Sequence, residues 1–266
     1  MPITPIFSPA EKGRPLKVAG FMSGSGTNIL KLLDLQKSLE SEDGNSPFKV
    51  LFLFSDRSDG ACTGERIACE AGIPYFSHDI RAFHRLRGIP RSVSSPEGLQ
   101  ARKGFDKVAL KLVTAFDIDV IALGGYMSFI TLGRGVNVHP GDLSLLDSEG
   151  KRKYVGDHAV LDAIAAGETE LRSSTLWTDQ GVDTGPLLMV SAPLSVTLPL
   201  PLESLMKERD NLHQVANEHQ ERLKKIGDWN IFPRTFELIA RGRFALDEKN
   251  RVYLDGRPVP QGYREQ

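Results

Sequence analysis

Residues 16–36 read LKVAGFMSGSGTNILKLLDLQ, an apolar run followed by a glycine-rich loop and an amphipathic stretch. The continuous apolar run predicts a strand that is buried on both faces of a parallel sheet, and the amphipathic stretch predicts a helix. Glycines at such a junction let the backbone turn tightly, so that free N–H groups at the helix N-terminus point at one spot. Such a spot favours an anion, and the loop is therefore a candidate binding site.

The same alternation of strand and helix continues through the first half of the chain. Residues 48–55 and 117–127 predict two more buried strands, and helical patterns cover residues 29–39, 62–71 and 105–115. Strands that alternate with helices predict an α/β fold with a doubly wound, mostly parallel sheet and flanking helices.

The second half has a more varied pattern. Strands are predicted at residues 135–139, 173–178 and 186–192, and helices at residues 159–166 and 205–226. The longer helix is amphipathic, with one apolar face that carries Leu205, Leu212, Val215 and Leu223. A C-terminal hairpin is predicted at residues 244–256, with its turn around Lys249 and Asn250.

The bulk composition fits one globular domain. The chain has 266 residues, of which 40% are apolar and 25% charged, and residues 1–14, with three prolines, are expected to form a flexible leader before a single domain at 15–266. Lys and Arg number 33 against 34 Asp and Glu, so no net field steers the chain to nucleic acid or to an anionic membrane. Two cysteines, Cys62 and Cys69, cannot form a disulfide scaffold or a structural zinc site.

The sequence has no secretory signal pattern and no run of 18 apolar residues. We therefore expect a cytoplasmic protein that acts on small molecules, without nucleic-acid or membrane partners, as a monomer or a homodimer.

Three kinds of glycine-rich loop compete for the stretch MSGSGTN (residues 22–28). A P-loop needs a lysine after its glycines, and a dinucleotide-binding loop needs a third glycine where this chain has Ile29. A monophosphate cradle remains, built from the backbone N–H groups of Gly26, Thr27 and Asn28. Simple helix capping is the alternative, because Ser, Thr and Asn all cap helices well, and the residues alone leave both open.

Two polar motifs lie further along the chain. GVNVHPGD (residues 135–142) places Asn137 and His139 two apart on a predicted strand, so both side chains project from one face near the carboxyl edge of the sheet, where α/β folds bind ligands. DQGVDTGP (residues 179–186) places Asp183 in a glycine-bounded loop, which taken alone is an ordinary turn. A lone histidine is more often structural than catalytic, so these motifs gain meaning only together.

Residues 81–107 are unusually basic. They contain only Glu97 and Asp106 as acids, against seven bases: Arg81, Arg85, Arg87, Arg91, Arg102, Lys103 and Lys107. The stretch is interpreted as a solvated surface loop or, alternatively, as a cationic rim for an anionic ligand.

In order along the chain, the motifs MSGSGTN, GGYM, NVHP, VDTGP and LDGRPVPQGY resemble those of the folate-dependent formyltransferases, from about residue 16 to residue 263. The resemblance implies a Rossmann-like fold and transfer of a formyl group from 10-formyltetrahydrofolate, without a metal, to the amine of a small phosphorylated acceptor. The similarity is strongest to members that act on phosphoribosylglycinamide in purine synthesis. It implies a phosphate-binding half at 15–130 and a catalytic half at 131–266.

The resemblance also assigns roles to residues. Asn137 and protonated His139 would donate hydrogen bonds to the oxyanion of the tetrahedral intermediate, each worth roughly 3–4 kcal/mol in a dry cleft. Asp183 would keep His139 charged and could take the proton of the amine through a water. The phosphate would bind Gly26, Thr27 and Asn28, and the folate would contact Arg102, Met127, Ser128, Phe129, Ile130 and Asn137.

The chain departs from the family pattern in three places. Ser128 stands where the family has an arginine after methionine, the connection from residue 130 to 137 is short, and the segment from His139 to Gly156 is longer than expected and lacks S-L-L-P after H-P. These departures leave the acceptor open, with a formyltetrahydrofolate hydrolase, a sugar-nucleotide N-formyltransferase or a catalytically silent ligand-binding relative as alternatives. Methionyl-tRNA formyltransferase is disfavoured, because the chain after Ile226 is expected to be too short for a tRNA-binding barrel.

Overall fold

The computed structural model describes residues 2–265, which fall into two units: residues 7–137 form the first, and residues 2–6 with 138–265 form the second. The boundary lies inside a strand rather than at residues 130 and 131, where the sequence placed the division between two halves. The first three residues of that strand pair with a strand of the first unit, which explains the later boundary.

The expected flexible leader is wrong for residues 3–12. Strand β1 (Ile3–Pro5) pairs antiparallel with residues 245–247, and helix α1 (Pro9–Lys12) follows directly. The Ser8 side chain accepts a hydrogen bond from the Glu11 amide at 3.4 Å, and Pro9 occupies the first turn, where a missing N–H costs nothing. The prolines therefore start a helix and end a strand instead of keeping the segment open.

The first unit contains five parallel strands and four longer helices. The strands are β2 (Leu16–Met22), β3 (Phe48–Ser55), β4 (Tyr75–Ser77), β5 (Val120–Leu123) and β6 (Gly135–His139), the last of which continues into the second unit. The helices are α2 (Thr27–Asp43), α3 (Gly64–Ala71), α4 (Ile80–Arg87) and α5 (Pro96–Ala115). The strands predicted at 16–22, 48–55 and 135–139 are confirmed.

Two predicted bounds in the first unit change for local reasons. The strand predicted at 117–127 is limited to Val120–Leu123, because Asp117 and Gly125 on either side have positive φ angles of 52° and 77°. Helix α5 begins at Pro96 rather than at residue 105, since the Ser95 hydroxyl accepts the Gly98 amide at 3.1 Å and starts the helix there.

The apolar strands are buried on both sides, which explains why they lack the alternating pattern of a half-exposed strand. Phe21 on β2 lies 4.8 Å from the ring of Phe54 on β3, within an apolar cluster that also contains Ile121 and Leu123 of β5. The cluster packs residues of β2, β3 and β5 against one another and so holds these parallel strands together.

The second unit is a mixture of short strands and helices. After β6 the chain forms α6 (Ala159–Ala165), β7 (Glu170–Leu171), β8 (Ser174–Trp177), β9 (Leu187–Val190), β10 (Leu194–Ser195), α7 (Leu202–Leu205), α8 (Arg209–Leu223), a π-helical turn (Lys224–Asp228), α9 (Trp229–Ala240), β11 (Phe244–Asp247), β12 (Val252–Leu254) and β13 (Arg257–Pro258). The main sheet has seven strands in the order β4-β3-β2-β5-β6-β8-β9, with β8 and β9 antiparallel. A four-stranded sheet has the order β1-β11-β12-β13, and β7 pairs with β10.

The mostly parallel α/β fold with a C-terminal hairpin is thus confirmed, but the helix predicted at 205–226 is not continuous. Residues 206–208 separate α7 from α8, and a π-helical turn then leads into α9, for which the sequence analysis had no prediction. The predicted apolar face is correct, because Leu205, Leu212, Val215 and Leu223 all lie in one buried cluster.

Candidate catalytic centre and ligand-binding loops

The second unit brings two of the candidate catalytic residues together. His139 ends β6, and Asp183 lies in the loop between β8 and β9. The His139 Nδ1 atom is 3.3 Å from Asp183 Oδ2, and the two side chains are only 6% and 8% exposed. A carboxylate this close in a buried site stabilises the protonated imidazole.

The other ring nitrogen of His139 also faces an oxygen. Nε2 lies 2.8 Å from the carbonyl oxygen of Tyr154, which can only accept a hydrogen bond. Both ring nitrogens therefore face acceptors, an arrangement that suits a doubly protonated ring. Tyr154 was not identified as a site residue from the sequence, because any residue type can supply a backbone carbonyl.

Asp183 is fixed by backbone contacts as well. Its Oδ2 accepts the Gly156 amide at 3.0 Å, and its own φ is +53°, in the left-handed region that L-residues rarely adopt. The residue is therefore held in an unusual backbone conformation with its carboxylate directed at His139. Asn137 precedes His139 by two residues on β6, at the position paired with Leu123.

The glycine loop lies in the first unit and begins α2. The N-cap is Gly26, with φ +63°, so α2 has no side chain at the capping position of the kind that the capping alternative requires. A Cβ atom on Gly26 would lie 2.4 Å from Met22 Cε and 2.8 Å from Ile67 Cδ1, so only glycine fits. Asn28 is buried, and its Oδ1 has no hydrogen-bond partner among residues 2–265.

A residue outside the loop holds its backbone in place. Thr63, just before α3, donates its amide to Gly24 O at 3.1 Å and its hydroxyl to Ser25 O at 2.9 Å. Thr63 could not be identified as a site residue from the sequence, since no motif connects it to a loop so far away along the chain.

The segment after β5 was expected to contact folate, and its residues differ sharply in exposure. Met127 is 70% exposed and Phe129 is half-buried, whereas Ile130 is buried. The Met127 amide donates to Ser23 Oγ at 2.9 Å, which links the segment to β2. The Ser128 hydroxyl donates to Asp56 Oδ2, and Asp56 Oδ1 is buried without a partner in the described part of the chain.

The basic stretch is mostly helical, contrary to the interpretation as a loop, because residues 80–87 and 96–115 form helices and only residues 88–95 lie outside them. Arg102 differs from the other six basic residues, which are exposed: it is only 4% exposed, and its Nε and Nη1 atoms have no hydrogen-bond partner within residues 2–265. Arg102 therefore does not belong to a surface rim. Burial lowers the pKa of Arg102, and the nearby Asp106 carboxylate opposes that shift.

With this geometry in place, the comparison with known families is direct. Residues 16–213 match the family model described as formyl transferase. The chain belongs to the formyl transferase family. The resemblance carried by the five sequence motifs is thereby confirmed at the level of the family.

Similar proteins support the assignment as a formyl transferase. The chain is 28% identical over 236 residues to the trifunctional purine biosynthetic protein adenosine-3 of Drosophila melanogaster, covering 86% of this chain but only 14% of that protein. It is 27% identical over 181 residues to the phosphoribosylglycinamide formyltransferase of Mycobacterium tuberculosis, covering 65% of this chain and 69% of that one. The solved phosphoribosylglycinamide formyltransferase of Coxiella burnetii matches with a TM-score of 0.65 and 27% identity, covering 95% of this chain and 100% of that chain.

Two features are absent from the described residues. No helix in residues 2–265 is long and apolar enough to cross a membrane. No group of three or more His, Cys, Asp or Glu side chains in the same range could hold a metal ion.

Proposed function

We propose that this formyl transferase moves the formyl group of 10-formyltetrahydrofolate to the amine of a small phosphorylated acceptor, with phosphoribosylglycinamide as the acceptor. The observation that carries the proposal is the buried contact between His139 and Asp183 at the end of β6. A catalytically silent binding protein has no use for a buried histidine paired in this way with a carboxylate.

The chemistry assigned to the pair is acyl transfer. The amine nitrogen attacks the formyl carbon, a C–N bond forms, and the carbonyl electron pair moves to oxygen as an oxyanion. Protonated His139 and the Asn137 amide donate hydrogen bonds to that oxygen, each worth about 3 kcal/mol when held in a dry cleft. The oxyanion then collapses, the bond to N10 of tetrahydrofolate breaks, and N10 takes the proton that the attacking amine has lost.

The ring contacts of His139 constrain this step. Because Nδ1 faces Asp183 and Nε2 faces the Tyr154 carbonyl, a formyl oxygen must share or displace the Tyr154 contact to receive the Nε2 proton. Asp183 keeps the ring charged while this exchange takes place and can accept the proton of the amine through a water.

The phosphate of the acceptor is assigned to the backbone N–H groups of Gly26, Thr27 and Asn28 at the start of α2. The helix dipole and the absence of a capping side chain at Gly26 support this assignment. The donor is assigned to residues 127–130, Asn137 and Arg102. The unpartnered guanidinium nitrogens of Arg102 fit a carboxylate, such as one that the glutamate part of folate would supply.

The test is release of tetrahydrofolate from 10-formyltetrahydrofolate, followed by absorbance, with and without phosphoribosylglycinamide. We expect release only when the amine is present. Release without amine would replace the proposal with a hydrolase. No release with this amine would remove it as the acceptor, and a panel of amino sugar nucleotides would then test the sugar-nucleotide alternative.

A further inference from the structure

The segment between β6 and α6, which the sequence analysis expects to be longer than in the family, has its own internal structure. The Asp147 amide donates to Lys151 O at 2.8 Å and the Lys153 amide donates to Leu145 O at 3.1 Å, so the segment folds back on itself. The Asp147 carboxylate closes the turn by accepting the amides of Glu149 and Lys151, both at 2.8 Å. Residues 145–153 therefore form an ordered hairpin-like element rather than an open loop.

The returning arm of this element supplies three contacts to the catalytic pair. Tyr154 O accepts from His139 Nε2, and the Gly156 amide donates to Asp183 Oδ2, as described above. The third contact comes from Arg152, whose Nη1 donates to Asp183 O and whose Nη2 donates to Gly185 O at 2.8 Å. One short segment thus touches both members of the pair.

Arg152 contacts the Asp183 loop where its backbone is most constrained. Asp183 has a φ of +53°, and Gly185 is so tightly packed that a Cβ there would lie 1.8 Å from Trp177 O. A planar guanidinium that spans the two carbonyls fixes the backbone on both sides of Thr184. The orientation of the Asp183 side chain follows from that of its backbone.

We infer that Arg152 is a positioning residue for catalysis, which holds the Asp183 loop so that its carboxylate meets His139. The inference rests on the proposed function for its kinetic consequence, but the contact itself is independent of any substrate. Arg152 does not touch the reacting atoms in this assignment. It acts through Asp183, and no family motif identified in the sequence contains it.

The charge of Arg152 suits this role. Burial lowers the pKa of Arg152, while the Asp183 carboxylate opposes that shift, and a guanidinium remains protonated throughout the physiological range.

The kinetic test compares Arg152→Met and Arg152→Lys with the matched control Lys151→Met, which removes the same charge from the neighbouring, exposed position. We expect Arg152→Met to lower kcat on the order of 10- to 100-fold, because a misplaced carboxylate costs turnover, with both KM values within about threefold of wild type. The kcat of Arg152→Lys should lie between those of wild type and Arg152→Met, since a point charge cannot span both carbonyls. The kcat of Lys151→Met should match that of wild type. An unchanged kcat in Arg152→Met, or an equal loss in Lys151→Met, would overturn the inference.

A second measurement separates this inference from the proposed function. In wild type, the His139 ring N–H bonded to Asp183 should produce a downfield proton resonance by NMR, identified by its absence in His139→Ala. We expect the resonance to be lost in Arg152→Met and retained in Lys151→Met, while circular dichroism shows all variants folded. If wild type transfers no formyl group, the proposed function fails, yet this resonance still tests Arg152, and its persistence in Arg152→Met refutes the role.

Discussion

Asp183 is useful to His139 only as a carboxylate. Asp183→Asn keeps the shape of the side chain but presents an amide that cannot stabilise the protonated ring, so kcat should fall on the order of 100-fold. His139→Ala should lose at least as much. The matched control is Asp157→Asn, which makes the same change at an exposed position. Wild-type turnover in both Asp183→Asn and His139→Ala would eliminate the mechanism.

Gly141 has no side chain, which leaves room for the His139 ring and the Tyr154 carbonyl to lie beside its backbone. A Cβ at Gly141 would lie 2.9 Å from His139 Nε2 and 2.8 Å from Tyr154 O. Gly141→Ala should therefore push the ring from its place and lower kcat by about tenfold, since small displacements of catalytic groups are costly. Gly133→Ala is the control, because a Cβ there meets no atom of residues 2–265 within 4 Å. If both substitutions leave kcat unchanged, the packing around the ring is not part of the catalytic geometry.

At the scale of elements, the start of α2 depends on a residue that precedes α3. Thr63→Val removes the hydroxyl that bonds Ser25 O and keeps the shape, whereas Thr63→Ser keeps the hydroxyl. Loss of one hydrogen bond should raise the KM for the phosphorylated acceptor by about tenfold in Thr63→Val, while the KM for folate changes less than about twofold. Thr63→Ser should stay near wild type. Equal changes in the two KM values would show that Thr63 does not act on phosphate binding.

The sequence predicted those elements whose pattern of apolar residues follows directly from which of their faces are buried. Strands β2 and β3 are continuous apolar runs because both faces are covered. Helix α9 was not predicted, and it contains Pro233, a residue type that normally argues against the interior of a helix. Strand β4 has only three residues, too few for any period to show.

Helix α4 is a different case, because its signals were present. Asp79 caps it by accepting the Ala82 amide at 2.7 Å, and Gly88 ends it in the left-handed conformation. The basic residues of this segment instead favoured its interpretation as a surface loop or as a cationic rim for an anionic ligand. The candidate site divides in the same way: side chains within motifs, such as His139, could be named from the sequence, whereas Tyr154 and Gly156 act through their backbones, which no residue type reveals.

At the scale of the whole molecule, the first residues of the chain belong to the second unit. Strand β1 pairs with β11, and β11 continues into the hairpin with β12, so one small sheet joins residues from both ends of the sequence. Asp247 is the centre of that hairpin: it accepts the amides of Lys249 and Arg251, both at 2.9 Å, and the Arg251 Nε at 2.6 Å. The stability of this sheet should therefore depend on the ionisation of one carboxylate.

That dependence gives a prediction for acid unfolding. Burial opposes ionisation of Asp247, but hydrogen bonds from the Arg251 amide and side chain and the Lys249 amide hold its pKa at about 2. An unfolded aspartate has a pKa of about 3.9. The ionised Asp247 therefore contributes its full stabilisation of the folded state above that pH, and this stabilisation is lost as the pH falls through about 2. The second unit should thus become less stable over this range.

Both tryptophans of the chain, Trp177 and Trp229, lie in the second unit with Asp247, so their fluorescence during urea unfolding reports on that unit. Asp247→Asn should be less stable than wild type at neutral pH, and the difference should shrink between about pH 4 and pH 2, since wild type loses its advantage as the carboxylate is protonated. Asp157→Asn, an exposed control, should differ little from wild type at neutral pH. A difference between Asp247→Asn and wild type that stays constant down to about pH 2 would mean that ionisation of Asp247 does not support the hairpin, and that its hydrogen-bonding shape alone does.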